Sequence, residues 1–338
     1  MGRLLEGQWI PNDLGPDVQG RYVRRATQFR SQIPSPEYPV DGNGRYCLIL
    51  SHACGWSHRC LLIRAVKGLE DAIPVTFCDP FMGQENGWTL GSEGIVFDVL
   101  FPNKRNKKDN NAPAKALHEI YVMAKSDYTG RASVPVLWDT HTGTIVSNES
   151  SDIVQFLCKA FDEHATHKGV DLTPTSIGEA AIAEMTKANY DPVNNGVYKC
   201  GFASSQEAYT EAAVALFERL DDLENMLSKQ RYLLGSSQVT LSDLCLFPTL
   251  YRFDQVYYTH FKCSKKHIYE YPNLWGWTRE IYQLPGVKET CDMDKIKEHY
   301  YTSHESIHPR KYIPLGPDID FDEPHGRARG YNVAGIDS

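Results

Sequence analysis

Cys54 is the residue best placed for covalent chemistry: it lies between an apolar, strand-like run, "RYCLILS", and an apolar, helix-like run, "WSHRCLLIRAVKGL". A thiol at a helix start meets unpartnered N–H groups and the positive end of the helix dipole, and both favour the nucleophilic thiolate. For Cys54 alone, a buried apolar cysteine is the competing description. The next residues narrow the chemistry. A dithiol oxidoreductase carries a second cysteine three residues on, but this chain has Ser57 there; Cys60 lies well round the helix and is expected in the core. A mixed disulfide on Cys54 therefore needs an external thiol to release it, and the most abundant cytosolic one is glutathione.

Two other stretches could serve such a ligand. In "RASVPVLWD" the residue before the proline can offer its backbone to a peptide-like molecule, and a cis Val134-Pro135 bond is expected; a trans edge-strand proline is the alternative. In "SNESSD", Glu149 and Ser150 open a helix, where free N–H groups take a carboxylate and the acid can hold an ammonium; the γ-glutamyl end of glutathione has both groups. Alone, "NES" reads as a helix cap. It gains meaning if Cys54, Val134-Pro135 and Glu149-Ser150 share one edge of a sheet.

The elements that must position them follow from hydrophobic periods. A strand at "RYCLILS", a helix stopped by Gly68 and a strand at "PVTFCDP" make a βαβ unit. A helix at "ALHEIYVMAKSDY", a hairpin of "VPVLWD" and "TIVS" around "THTG", and a helix at "ESSDIVQFL" complete a thioredoxin-like succession. The second half is helical. Tyr209, Ala213, Leu216, Leu220, Leu223 and Leu227 mark a long amphipathic helix, Thr240 to Asp243 form a capping box, and "PNLWGWTREIYQL" and "DKIKEHYY" read as helices. The fold expected is an α/β thioredoxin-like domain at 45–165 and an all-α domain at 175–316. An extended arm occupies 1–44 and a polar tail 317–338, and the segment 81–111 reads as a long loop.

With 338 residues, two domains are the prior expectation. No apolar run is long enough for a membrane helix, the start lacks a signal-peptide core, and a cytoplasmic chain is expected. A net charge of −8 argues against a general nucleic-acid binder, and the basic cluster "NKRNKKDNN" lies among Asn and Asp as a solvated loop would. Nine cysteines are too few for a disulfide scaffold in so long a chain, and their wide spacing gives no zinc signature, so no metal is expected.

Taken in order, "CGWSHR", "KGLEDAI", "ENGWT", "VPVLWDTHTGTIVSNESS", "NNGVYKCGF", "LFPTLYRFDQVYYTHFKC", "YPNLWG" and "HYYTSHESIHPRKYIPLGP" resemble the glutathionyl-hydroquinone reductases, the Xi-class glutathione transferases, over roughly residues 20–316. The resemblance implies a homodimer built through the helical domain, with glutathione as co-substrate and an aromatic quinol conjugate as substrate. It implies that Cys54 is the nucleophile and that Trp88, Arg131, Ala132, Ser133, Val134, Glu149 and Ser150 form the glutathione site. Tyr198 matches the family's proton donor, and Tyr257 and Tyr300 match tyrosines that line the aromatic pocket and hydrogen-bond the thiolate. Phenols suit both tasks, since they donate to anions and stack on flat substrates.

The family usually has "CPWA" where this chain has Gly55 and Ser57. Glycine is looser than proline at the first helical position, and a Ser57 hydroxyl could donate to the sulfur in compensation. The expected reaction is reduction of a glutathionyl-hydroquinone through a mixed disulfide on Cys54. A broader thiol transferase acting on small disulfides or dehydroascorbate is the enzymatic alternative, and a non-catalytic binding module the alternative from another class.

Overall fold

The computed structural model describes residues 2–11, 19–91, 100 and 114–327, and it divides into two compact units. The first comprises 1–15, 25–168 and 294–303; the second comprises 16–24, 169–293 and 304–338. The basic cluster at 103–111, most of the 81–111 loop beyond Gly91, and the tail after Arg327 lie outside the described residues.

The first two strands form where no sustained apolar period announced them. β1 (Arg3–Leu5) and β2 (Gln8–Ile10) are an antiparallel hairpin, and fully buried Leu4 exchanges both backbone hydrogen bonds with Gly130. This hairpin of the arm is therefore part of the first unit, whereas residues 16–24 of the arm belong to the second. Further on, Ser31 N–H donates to the Val146 carbonyl and Phe29 pairs with Asn148, so the arm covers the open edge of the sheet.

The sheet itself follows the expected succession. β3 (Tyr46–Leu50) is buried at every residue, which is why its sequence is continuously apolar rather than alternating. α1 (Gly55–Lys67) follows and ends at Gly68, whose φ of 65° and close approach to Thr166 both require glycine. β4 (Val75–Phe77) then pairs parallel with β3. After α2 (Leu117–Ala124), β5 (Val136–Asp139) pairs antiparallel with β3 and β6 (Thr144–Ser147) antiparallel with β5, giving the order β4-β3-β5-β6. The carboxylate of fully buried Asp139 takes two hydrogen bonds from the Arg45 guanidinium, tying the far ends of β3 and β5. α3 (Ser150–Gln155) opens directly after β6 and passes into a π-turn at Phe156–Ala160.

The second unit is helical: α4 (Glu179–Asn189), α5 (Gly196–Gly201), α6 (Gln206–Leu227), α7 (Leu241–Arg252) and α8 (Pro272–Tyr282). On α6 the buried stripe runs through Ala208, Ala212, Leu216, Phe217, Leu220, Leu223 and Leu227. Its first two turns thus sit one residue away from the expected Tyr209 and Ala213, and the Tyr209 hydroxyl donates to the Lys262 carbonyl at 2.7 Å. α7 is buried along its whole length, and its capping box closes as expected, with Asp243 accepting from the Thr240 N–H and hydroxyl. The final helix, α9 (Met293–Ser303), belongs to the first unit from Asp294 onward, although its sequence lies among the helices of the second half.

Candidate active site

Cys54 is the N-cap of α1: its φ and ψ of −78° and 115° are extended, and its carbonyl accepts the His58 N–H at 2.9 Å. The end of a buried strand and the first helical turn thus fix the sulfur, whose Sγ–H donates to the Val134 carbonyl at 3.5 Å. The Val134-Pro135 bond is cis. All nine cysteines are free, and only Cys54 and Cys291 are not fully buried. Burial pushes the thiols of Cys47, Cys78 and Cys263 up and that of Cys291 to about 12, which keeps them protonated at neutral pH.

Ser57 does not do what the sequence suggested. Its buried hydroxyl accepts from the Ser51 N–H at 3.3 Å, bracing the strand end, and among the described residues no hydrogen bond joins it to the Cys54 sulfur. The turn before α1 is held by this brace and by the Cys54 N–H, which donates to the Ser51 carbonyl at 3.1 Å.

Glu149 is the N-cap of α3 and accepts from the Ser151 N–H at 3.1 Å. Burial pushes its carboxyl up, but that bond, the Thr27 hydroxyl at 3.1 Å and the charge on Arg59 outweigh burial and hold it below its ordinary value. It is ionised at neutral pH and suited to an ammonium. Beside it the Ser150 hydroxyl accepts from Arg59 at 2.6 Å and 3.2 Å. Arg59 is almost fully buried on α1, five residues after the thiol, with its guanidinium over the Trp56 ring.

The segment from Arg131 to Val134 is held by two phenols, Tyr121 and Tyr128. Tyr121 Oη, on the buried face of α2, donates to the Ser133 carbonyl at 2.7 Å and accepts from the Ser133 N–H at 3.2 Å and the Asn148 amide at 3.0 Å. One hydroxyl thus fixes both the strand approach to Val134 and the residue before Glu149. The Arg131 carbonyl accepts from Tyr128 at 3.3 Å. Cys54, Trp88 and Ala132 pack against the same core cluster that contains Val134 and Tyr121. Replacing Tyr121 by phenylalanine is expected to cost about 1–3 kcal/mol, because the part-buried Ser133 amide and the buried Asn148 amide lose their partner. A urea titration checks this, and an unchanged midpoint would deny the phenol its anchoring role.

The glutathione S-transferase N-terminal domain model matches residues 53–160 and the C-terminal domain model residues 206–280. The glutathionyl-hydroquinone reductase YqjG of Escherichia coli (strain K12) is 44% identical over 340 residues, 97% of this chain and 98% of its own. The solved structure of a Xi class GST from Natrialba magadii has a TM-score of 0.82 at 40% identity, covering 97% of this chain and 96% of that one. The chain belongs to the Xi-class glutathione transferase family. The glutathione-bound structure of YqjG has a TM-score of 0.74 at 47% identity, covering 84% of this chain and 88% of that one.

In this Xi-class transferase the three tyrosines fall in different places. Tyr300 lies on α9 in the first unit and is buried. Tyr198, on α5, and Tyr257, at the end of a π-turn spanning Phe253–Tyr257, belong to the second unit, with hydroxyls 3.4 Å apart. Two phenols in contact can pass a proton or share one on ionisation. The Arg24 guanidinium stands over the Tyr198 ring at 5.4 Å, and the Phe261 ring stacks on that of Tyr257.

Sequence reasoning missed Tyr121, Arg59 and Thr27. Tyr121 sits in an amphipathic helix where an aromatic reads as core, and Arg59 follows the thiol in a quoted motif without a role of its own. Thr27 lies in the arm, which carried no periodic signal. Among the described residues no group of His, Cys, Asp or Glu is placed to hold a metal ion, and no helix is long and apolar enough to cross a membrane.

Proposed function

We propose that this transferase is a glutathionyl-hydroquinone reductase working through Cys54. The observation that carries the reading is the Cys54 thiol, half-buried at a helix N-cap and facing the carbonyl of a cis Val134-Pro135 unit. Its 44% identity over nearly the whole chain to a protein named for that reaction supports the substrate class. The Cys54 thiolate attacks the glutathione sulfur of the conjugate, forming an S–S bond as the carbon–sulfur bond breaks. The aromatic carbon takes a proton with Tyr198 assisting, and hydroquinone leaves. A second glutathione thiolate then attacks the mixed disulfide, releasing glutathione disulfide and regenerating Cys54.

Glutathione is the co-substrate of this reading. Its γ-glutamyl ammonium pairs with Glu149, its carboxylate takes Ser150, its backbone pairs with Val134, and Trp88 and the Arg131–Ser133 segment complete its site. The resemblance assigns aromatic-substrate roles to Tyr257 and to Tyr300. The resemblance also supports a homodimer through the helical domain, and the dependence on free glutathione fits the cytoplasm.

The deciding experiment is the intact mass of the protein mixed with a glutathionyl-hydroquinone and no free glutathione. One added glutathione with free hydroquinone released is the expected result. An adduct with glutathione disulfide alone would move the assignment to a general thiol transferase, and no adduct with either would leave a binding module.

Restoring the missing second thiol offers a sharper check. In Ser57→Cys the new thiol stands on the first helical turn, where it can attack the mixed disulfide from within the protein. The glutathione adduct should then give way to an internal disulfide, read as a protein lighter by two hydrogens. A persistent adduct would mean that position 57 cannot reach the sulfur.

A further inference from the structure

His299 has no part in the reading above, yet it sits where two of that reading's groups meet. Its imidazole stacks on the indole of Trp88 with centroids 4.7 Å apart and planes at 12°. Its Nδ1–H donates to the Pro80 carbonyl at 2.8 Å; a carbonyl only accepts, so in the neutral ring the proton is on Nδ1. One turn later the Ser303 hydroxyl accepts the Met82 N–H at 2.9 Å. Pro80, Met82 and Trp88 belong to one loop, and all three rest on this single stretch of α9. The same stretch carries Tyr300, whose ring meets that of His299 edge-on at 86°.

We propose that His299 is a positioning residue: it fixes the Trp88 ring by stacking, and it ties the Trp88 loop to the helix that bears Tyr300. The inference rests on the proposed glutathione site and adds to it a shared support for the glutathione side and the aromatic-substrate side. The ring is 5% exposed, and burial lowers its pKa to about 4 despite the Pro80 bond, so the neutral donor and the uncharged stacking face persist through neutral pH.

Two functions of one side chain separate by substitution. His299→Gln keeps a donor for Pro80 and loses the stack, His299→Phe keeps the stack and loses the donor, and His299→Ala loses both. The readout that a merely structural histidine would not move is the Trp88 resonance in fluorotryptophan-labelled protein, assigned by its absence from Trp88→Phe. In ligand-free protein that resonance should shift in the Ala and Gln variants. Their glutathione KM should rise about tenfold, the upper range for an aromatic pair, with kcat at saturating glutathione within about twofold. His299→Phe should stay within about threefold of the unsubstituted KM. Folded Ala and Gln variants with an unmoved Trp88 resonance and unchanged KM would overturn the inference, as would a Phe variant as impaired as Ala. If glutathione fails to shift the Trp88 resonance in the unsubstituted protein, the glutathione-site reading itself falls and takes this inference with it.

Discussion

Cys54→Ala is expected to lower glutathione-dependent turnover of glutathionyl-hydroquinones by about a thousandfold or more, the scale of losing an essential nucleophile. No neighbour can substitute. Cys60 and Cys78, like Cys47, are buried in the core, and the Ser57 hydroxyl is engaged with the Ser51 N–H. Because the Cys54 side chain makes one weak hydrogen bond, to the Val134 carbonyl, its removal should leave the fold intact and thermal stability nearly unchanged. Steady-state kinetics beside a thermal melt separate the two effects. Turnover within tenfold of the parent in a folded Cys54→Ala protein would place the chemistry elsewhere.

The largest expected loss of stability lies in the second unit, at Glu280. This carboxylate is 2% exposed in its side chain and accepts from the Arg231 guanidinium, the Tyr232 hydroxyl at 3.0 Å and Arg327 Nε at 3.1 Å. Arg231 is itself buried, so Glu280→Ala takes its carboxylate from a positive charge held away from water. Breaking a buried pair in this way costs about 3–5 kcal/mol, far more than a surface bridge such as Lys288 to Asp322. Chemical denaturation should show it as a large drop in midpoint. A change below about 1 kcal/mol would mean that water reaches Arg231 and that the network contributes little.

Arg327 shows where reading the sequence reached its limit. Its segment, "DFDEPHGRARG", is polar and glycine-containing, and nothing in its pattern separates a free tail from a strap. In the structure its guanidinium donates to the carbonyls of Arg231 at 2.7 Å and Gln230 at 3.0 Å, just beyond the end of α6, and Phe321 packs among Tyr251, Trp275 and Tyr282. These contacts are long-range and leave no local period. The sheet, by contrast, was legible because β3 and α1 carry their burial in their own spacing, and the Gly68 stop and the Thr240 cap are local signals.

The same division holds at the site. Cys54, the Val134-Pro135 bond and Glu149-Ser150 were readable because each stands at a junction between elements that the sequence marks. The supports were not. Tyr121 acts through a hydroxyl whose partners lie 12 and 27 residues away in sequence, and Arg59 reaches a serine 91 residues distant. The Ser57 reading failed for a related reason: proximity along a helix favoured the sulfur, but the strand end offered an N–H donor that the helix spacing did not reveal.

The return of α9 to the first unit has a consequence for how the protein is made. A chain emerging from the ribosome lays down the thiol, the sheet and the Trp88 loop early, yet the helix on which that loop rests is supplied only when synthesis has reached Ser303. The thiol-bearing unit therefore draws one of its helices from the far end of its sequence. A gene fragment ending near residue 165 would encode every sheet strand described and still lack the α9 portion of the unit, so completion of that unit is a late event in the life of the chain.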